Sequence, residues 1–122
     1  MKLINDLFKV IETSVTDEGF ITKIRLNPGN IIYTGHFPGH PVTPGVIQMQ
    51  IIHELIESHF CKNVRLIKMP GCKFLKVLNP DTTPQIAIHI QFTRINELLN
   101  IKARGEDGAN IFFKLNAEYQ IV

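Results

Sequence analysis

Gly35-His36-Phe37-Pro38-Gly39-His40-Pro41-Val42-Thr43-Pro44-Gly45-Val46 is a loop of three prolines and three glycines that runs directly into Ile47-Gln48-Met49-Gln50-Ile51-Ile52-His53-Glu54-Leu55-Ile56-Glu57-Ser58-His59-Phe60. No Gly or Pro interrupts the chain from Val46 to Phe60. Met49, Ile52, Ile56 and Phe60 recur there at spacings of three and four, with Ile51 and Leu55 beside them. That period predicts an amphipathic helix, the only long one in the chain. Gln50, His53, Glu54, Glu57 and Ser58 share the opposite arc, which Val46 and Ile47 also occupy in the first turn. The polar face is therefore expected to be solvated late in the helix and covered early, near Gln50.

On both sides of this helix the period changes to two. Ile86, Ile88, Ile90 and Phe92 alternate with Gln85, Ala87, His89 and Gln91, and Phe113, Leu115, Ala117, Tyr119 and Ile121 alternate with polar residues. Such segments form half-buried antiparallel strands. Phe8 to Thr13 and Phe20 to Leu26 read as a hairpin around Asp17-Glu18-Gly19. Ile31-Ile32-Tyr33 reads as a short extended piece, Val64 to Lys68, Lys73 to Val77 and Leu98 to Arg104 as shorter strands, and Gly105-Glu106-Asp107-Gly108 as a turn. One helix and about six strands make an α+β fold, with the sheet wrapped around the helix so that each covers the other's apolar face.

A chain of 122 residues with ordinary hydrophobic and charged content is expected to form one domain, residues 1–122, on its own core. No apolar run approaches the ~18 residues of a membrane span. The first six residues carry no secretory pattern, which places the protein in the cytoplasm. Cys61 and Cys72 make neither a zinc framework nor a disulfide scaffold, and read as reduced, packed thiols. A net charge of +2 with sparse aromatic residues in its basic stretch gives no case for nucleic acid. His36 and His40 sit in a Pro-rich loop that no helical face organises, and His53 and His59 point different ways, so no metal site is expected.

The loop and its helix resemble the signature of the 3-hydroxyacyl-acyl-carrier-protein dehydratases, the FabZ/FabA family of hot-dog-fold enzymes. The resemblance runs from about Tyr33 to Asp81, and elsewhere rests on strand pattern. It implies a hot-dog fold and dehydration of 3-hydroxyacyl thioesters in fatty acid, polyene or related acyl-chain synthesis. His36 would be the base, a role suited to imidazole near neutrality, and the Gly45 N–H would bind the thioester oxygen. Phe37, Pro38, Gly39, Pro44, Val46 and Phe74 would line the substrate path. It also implies a dimer that shares its sites, and an acyl carrier protein as partner, whose phosphopantetheine arm is the only prosthetic group needed; no cofactor is expected.

The departure from the family falls on the chemistry, because the position fourteen after His36 is Gln50 where relatives carry an acid. An amide orients but does not protonate. Glu54, one turn further along, stands where relatives commonly carry glutamine, so acid and amide have exchanged places. Either Glu54 takes over the acid role, or His36 both removes the proton and returns it while Gln50 orients the hydroxyl. Otherwise Glu54 is a solvated helix carboxylate. No acid occurs between Ser58 and Pro80, where Lys62, Arg65, Lys68, Lys73 and Lys76 form a patch suited to an acidic carrier protein; the polar face of two strands would read the same way. Two other functions stay open: a hot-dog thioesterase with Glu54 activating water, and a degenerate acyl-binding subunit, alone or in a heteromer with another dehydratase subunit.

Overall fold

The computed structural model describes residues 2–35 and 39–122. Six strands, β1 (Phe8–Val15), β2 (Gly19–Leu26), β3 (Val64–Phe74), β4 (Gln85–Ile95), β5 (Leu98–Glu106) and β6 (Ile111–Ile121), accompany a short helix α1 (Ile32–Gly35) and the long helix α2 (Gly45–Phe60). The sheet has the order β1-β2-β4-β5-β6-β3 with every pair antiparallel, which leaves β1 and β3 as edges. The α+β reading and the wrapped helix both hold.

Alternation sets the layers. Ile86, Ile88 and Ile90 of β4 are buried, as are Phe113, Leu115, Ala117, Tyr119 and Ile121 of β6, and together they form one face of the core. Helix α2 meets that face through Ile47, Ile51, Ile52, Leu55 and Ile56. Its other side is not left to water: Leu3 and Leu7, from the segment ahead of β1, are buried in the same core. A helix covered on both sides needs apolar residues around most of its circumference, which is why two isoleucines stand together at Ile51 and Ile52. It ends at Cys61, which adopts a left-handed conformation at φ 53°.

Several local expectations change. Ile31-Ile32-Tyr33 is not extended, because the Asn30 side chain accepts from Ile32 N–H at 2.9 Å and starts the turn that becomes α1. The two short runs around Pro70-Gly71 are one strand, β3, whose register shifts between Leu66 and Lys68 and again before Gly71. An edge strand can absorb a proline at such irregularities, since one side of it has no ladder to break. Strand β5 continues through Glu106, and the turn follows at Asp107, whose carboxylate accepts from the N–H groups of Ala109 and Asn110. Those bonds, led by the one from Asn110, hold the exposed Asp107 carboxyl below its usual range. Cys61 is exposed rather than packed, while Cys72 is half-buried and burial raises its thiol.

Candidate active site

The loop that enters α2 is fixed to the core just before the helix begins. Thr43 is buried; its N–H donates to the Leu78 carbonyl at 2.8 Å and its hydroxyl meets the Tyr33 hydroxyl at 2.9 Å. Its carbonyl accepts from Gln48 Nε2 at 2.9 Å, so the side chain of the helix's first turn reaches back to hold the loop. Burial raises the Tyr33 phenol, and the Thr43 hydroxyl pulls it partly back. Tyr33, Thr43 and Gln48 were absent from the predicted site. The signal for Gln48 was a polar residue three before Ile51 and four before Ile52, on the apolar side of the helix. Gly39, at the other end of the described loop, has φ 83°, a conformation that a side chain would strain. His36, Phe37 and Pro38 lie outside the described residues.

Pro44 is extended, at φ −60° and ψ 149°, and supplies no side-chain cap. Its carbonyl takes the N–H groups of Ile47 and Gln48. The N–H groups of Gly45 and Val46 have no acceptor among the described residues, so the positive end of the helix dipole opens forward there. Phe74, at the end of β3, closes one side: a Cβ at position 45 would stand 2.6 Å from its ring. Only glycine allows that approach. Val46 is 70% exposed and Phe74 48% exposed, and Leu75 and Val77 continue the apolar surface beyond them. The structure thus brings Gly45, Pro44, Val46 and Phe74 together at the start of α2.

Gln50 lies five residues along α2 from Gly45, about 7.5 Å of helix rise. Its Nε2 donates to Glu54 Oε2 at 2.9 Å. A carboxylate only accepts, so this bond fixes which end of the Gln50 amide faces Glu54: the NH2 end is turned toward it and the carbonyl away. Glu54 is not a solvated carboxylate, being only 3% exposed. Both of its oxygens accept from Leu3 N–H at 2.8 Å, and Oε1 also accepts from Ile4 N–H at 2.9 Å. The expectation that the polar face would be open late in the helix therefore fails at Glu54, where the amino-terminal segment covers it.

The predicted carrier-protein patch is strung along the edge of the sheet rather than gathered. Arg65, Lys68 and Lys73 lie on β3, with Lys62 before it and Lys76 after it, and eleven strand residues span roughly 35 Å. Arg65 donates to Gln120 Oε1 at 2.7 Å, Lys68 pairs with Glu118 at 3.6 Å, and Lys76 donates to Asn110. Lys73 and Lys76 flank Phe74 and stand at the Gly45 end; Lys62 is at the other. The histidines outside the loop have separate settings: His53 lies 3.5 Å from Glu57, and His59 stacks on Phe20 with centroids 4.1 Å apart.

A family model described as ApeI-like, ApeI dehydratase, matches residues 12–111. Two curated FabZ 3-hydroxyacyl-[acyl-carrier-protein] dehydratases, from Rickettsia massiliae and Rickettsia bellii, are 32% and 35% identical over 72 residues, covering 52% of this chain and 50% of theirs. The chain spans about half the length of the curated relatives it matches. Among solved structures, the dehydratase heterocomplex ApeI:P from Xenorhabdus doucetiae superposes with a TM-score of 0.72 at 16% identity, over 92% of this chain and 96% of that one. A mutant thioesterase from Pseudomonas aeruginosa gives 0.64 at 10% identity, over 94% and 81%. The (R)-hydratase from A. caviae gives 0.60 at 9%, over 93% and 97%. These likenesses show the hot-dog fold, which hosts both dehydration and thioester hydrolysis.

Proposed function

The chain belongs to the ApeI-like dehydratase family, and on that premise we propose that it dehydrates 3-hydroxyacyl thioesters of an acyl carrier protein to trans-2-enoyl thioesters. The observation that carries the reading is the open start of α2, where the Gly45 and Val46 N–H groups face forward beside the Phe74 ring. In this reading the thioester oxygen takes the Gly45 N–H, which stabilises the negative charge that develops as C2 loses its proton. His36 is the base, by its place in the motif. The C2–H electron pair becomes the C2–C3 double bond, the C3–O bond breaks, and the hydroxyl takes its proton from the imidazolium and leaves as water. Pro44, Val46, Phe74 and Gly39 line the acyl path in this reading, and Phe37 and Pro38 are assigned to it from the motif alone.

Gln50 orients the leaving hydroxyl through its carbonyl, because the bond to Glu54 turns that end of the amide away from the carboxylate. Glu54 acts through Gln50 and the amino-terminal segment, and is a positioning residue in this scheme. Hydrolysis is the less supported alternative: a carboxylate that already accepts from Leu3, Ile4 and Gln50 is poorly placed to activate water. The carrier approaches along the β3 edge, where Lys73 and Lys76 lie nearest the site. A second copy, or a related subunit, would complete the site with residues of its own. The cytoplasm is the compartment this substrate implies.

Incubation with a carrier protein loaded with a 3-hydroxyacyl chain, followed by mass spectrometry, tests the reading. A loss of 18 Da, the mass of one water, is expected from wild type, and His36→Ala should lower turnover by about 10²-fold or more with the fold retained. Release of free acid would establish a thioesterase instead. An unchanged substrate that binds but turns over only in Gln50→Glu would mark an acyl-binding subunit.

A further inference from the structure

The face of the sheet turned away from α2 carries a row of cations of which the dehydratase reading uses only Lys73. Cross-strand register aligns His89 of β4 with Arg104 of β5, Arg104 with Lys114 of β6, and Lys114 with Lys73 of β3. Direct partners share a face of the sheet, and their flanking residues Ile88, Ile90, Ala103, Phe113 and Leu115 are buried on the other. Lys102 lies in the next row, between Gln91 and Asn116. Arg104, Lys114 and Lys73 thus stand on adjacent strands, about 10 Å from first to last. Like charges placed opposite one another oppose pairing.

One carboxylate answers them. Glu106 accepts from His89 Nε2 at 2.6 Å and lies 3.8 Å from Arg104 Nε, while Arg104 donates to His89 Nδ1 at 3.3 Å. Both ring nitrogens of His89 are thus engaged by Glu106 and Arg104. Glu106 is the carboxylate that pairs with Arg104, and Lys73, Lys102 and Lys114 have no ion pair among the described residues. The row borders an open groove of about 340 Å³ lined by Lys73, Lys102, Arg104, Lys114, Gln91 and Asn116 among others, with the three lysines exposed and Arg104 half-buried. At the β3 side of that groove Gly71 has no side chain, and the Asn116 amide nitrogen sits 3.3 Å from where its Cβ would be.

We propose that this groove binds a small molecule bearing two adjacent phosphate groups. Arg104 and Lys114 hold one phosphate and Lys114 and Lys73 the other, with Lys102 and the Asn116 amide donating from the neighbouring row. Neighbouring phosphates match cations one strand apart, and guanidinium suits phosphate geometry. The groove's volume, about 340 Å³, is that of a small-molecule site and small beside the surface a protein partner covers. A bound anion would also offset the repulsion among these like charges.

Isothermal titration of the intact protein with inorganic pyrophosphate at low ionic strength tests this without any assay of dehydration, so the two readings fail separately. One saturable site per chain is expected, at least about tenfold tighter than inorganic phosphate. Lys114→Gln and Arg104→Gln should each weaken it by about tenfold or more, while Lys9→Gln, on β1, should leave it unchanged. Without ligand, Lys114→Gln should melt at or above the wild-type temperature, and pyrophosphate should raise the melting temperature of wild type only. No saturation at millimolar pyrophosphate would overturn the proposal, as would equal weakening by Lys9→Gln. So would an acidic carrier protein that binds through Lys114 and that pyrophosphate fails to displace.

Discussion

Glu54→Ala removes an acceptor shared by three donors, and its cost follows from their surroundings. The carboxylate, 3% exposed, takes Leu3 N–H, Ile4 N–H and Gln50 Nε2. Hydrogen bonds to a charged group contribute about 1.5–3 kcal/mol each, so a rigid site would lose well over 4 kcal/mol. Release softens that figure, because Lys2 is exposed and Ile4 only part-buried, and the segment can retreat into water. Retreat in turn uncovers Leu3 and loosens Leu7. A net loss of about 3 kcal/mol is expected, or roughly 10 °C in melting temperature for a chain of this length.

Glu54→Gln separates the two jobs of that carboxylate. Its remaining oxygen can still hold the Leu3 and Ile4 N–H groups, but its NH2 would face the NH2 of Gln50, and two donors do not pair. The Gln50 amide must then turn over, so stability should fall by only about 1 kcal/mol while turnover falls by about 10²-fold through lost orientation. The double variant Gln50→Glu/Glu54→Gln restores one donor and one acceptor in reversed order, and should recover the stability lost in Glu54→Gln alone. Thermal melts and the carrier-protein assay read both effects. A loss below about 1 kcal/mol in Glu54→Ala would refute the anchoring of the amino-terminal segment by Glu54, and equal melting temperatures for the alanine and glutamine variants would refute the division of roles.

Gly45→Ala should force the Phe74 ring aside, since the new Cβ would stand 2.6 Å from it, and should cost about 10²-fold in turnover; Phe74→Leu in the same chain should recover part of that loss, and no recovery would remove the clash as its cause. Burial lowers the His59 pKa below that of the unfolded chain, so the unfolded state binds the extra proton and stability falls as pH drops below about 6.5. His59→Phe keeps the stack on Phe20 and should flatten the fall in melting temperature between pH 7 and 5 relative to wild type, so parallel curves would exclude His59 from it. Sedimentation at micromolar concentration should give a dimer or larger, and a monomer with full turnover would rule out sites shared between copies.

Helix α2 and most strands were legible because their period is a property of neighbours in the chain. What was hidden depends on residues far apart in sequence. Nothing near Glu54 announces that its partner is the backbone of Leu3, 51 positions earlier, so a helix carboxylate among His53, Glu57 and Ser58 reads as solvated. Pro70-Gly71 reads as a break in a strand unless the strand is known to be an edge. The cation row is invisible for the same reason, since Lys73, Arg104 and Lys114 become neighbours only through the register of three strands. The α1 turn, by contrast, was available locally: Asn30 ahead of Ile31-Ile32-Tyr33 is a cap, and β-branched residues outweighed it. Of the predicted site, the structure gathers Gly45, Pro44, Val46 and Phe74, joins Gln50 to Glu54, and spreads the carrier patch along β3.

The exchange of acid and amide that the family resemblance implies at Gln50 and Glu54 would alter what each position can do, because the order along the helix decides which group faces the open end. With the acid further along, the amino-terminal segment supplies N–H donors to it from Leu3 and Ile4. With the amide nearer Gly45, the group toward the site is a neutral dipole whose sense is set by the carboxylate behind it. In the proposed scheme an oriented acceptor stands where the family resemblance expects a proton donor. Turnover would then rest on one imidazole moving the proton in both directions, which would confine it to eliminations whose proton and hydroxyl leave from the same side. A substrate whose hydroxyl is of the opposite configuration at C3 would present that group away from the imidazole, and its carrier should bind the proposed docking residues Lys73 and Lys76 without loss of water.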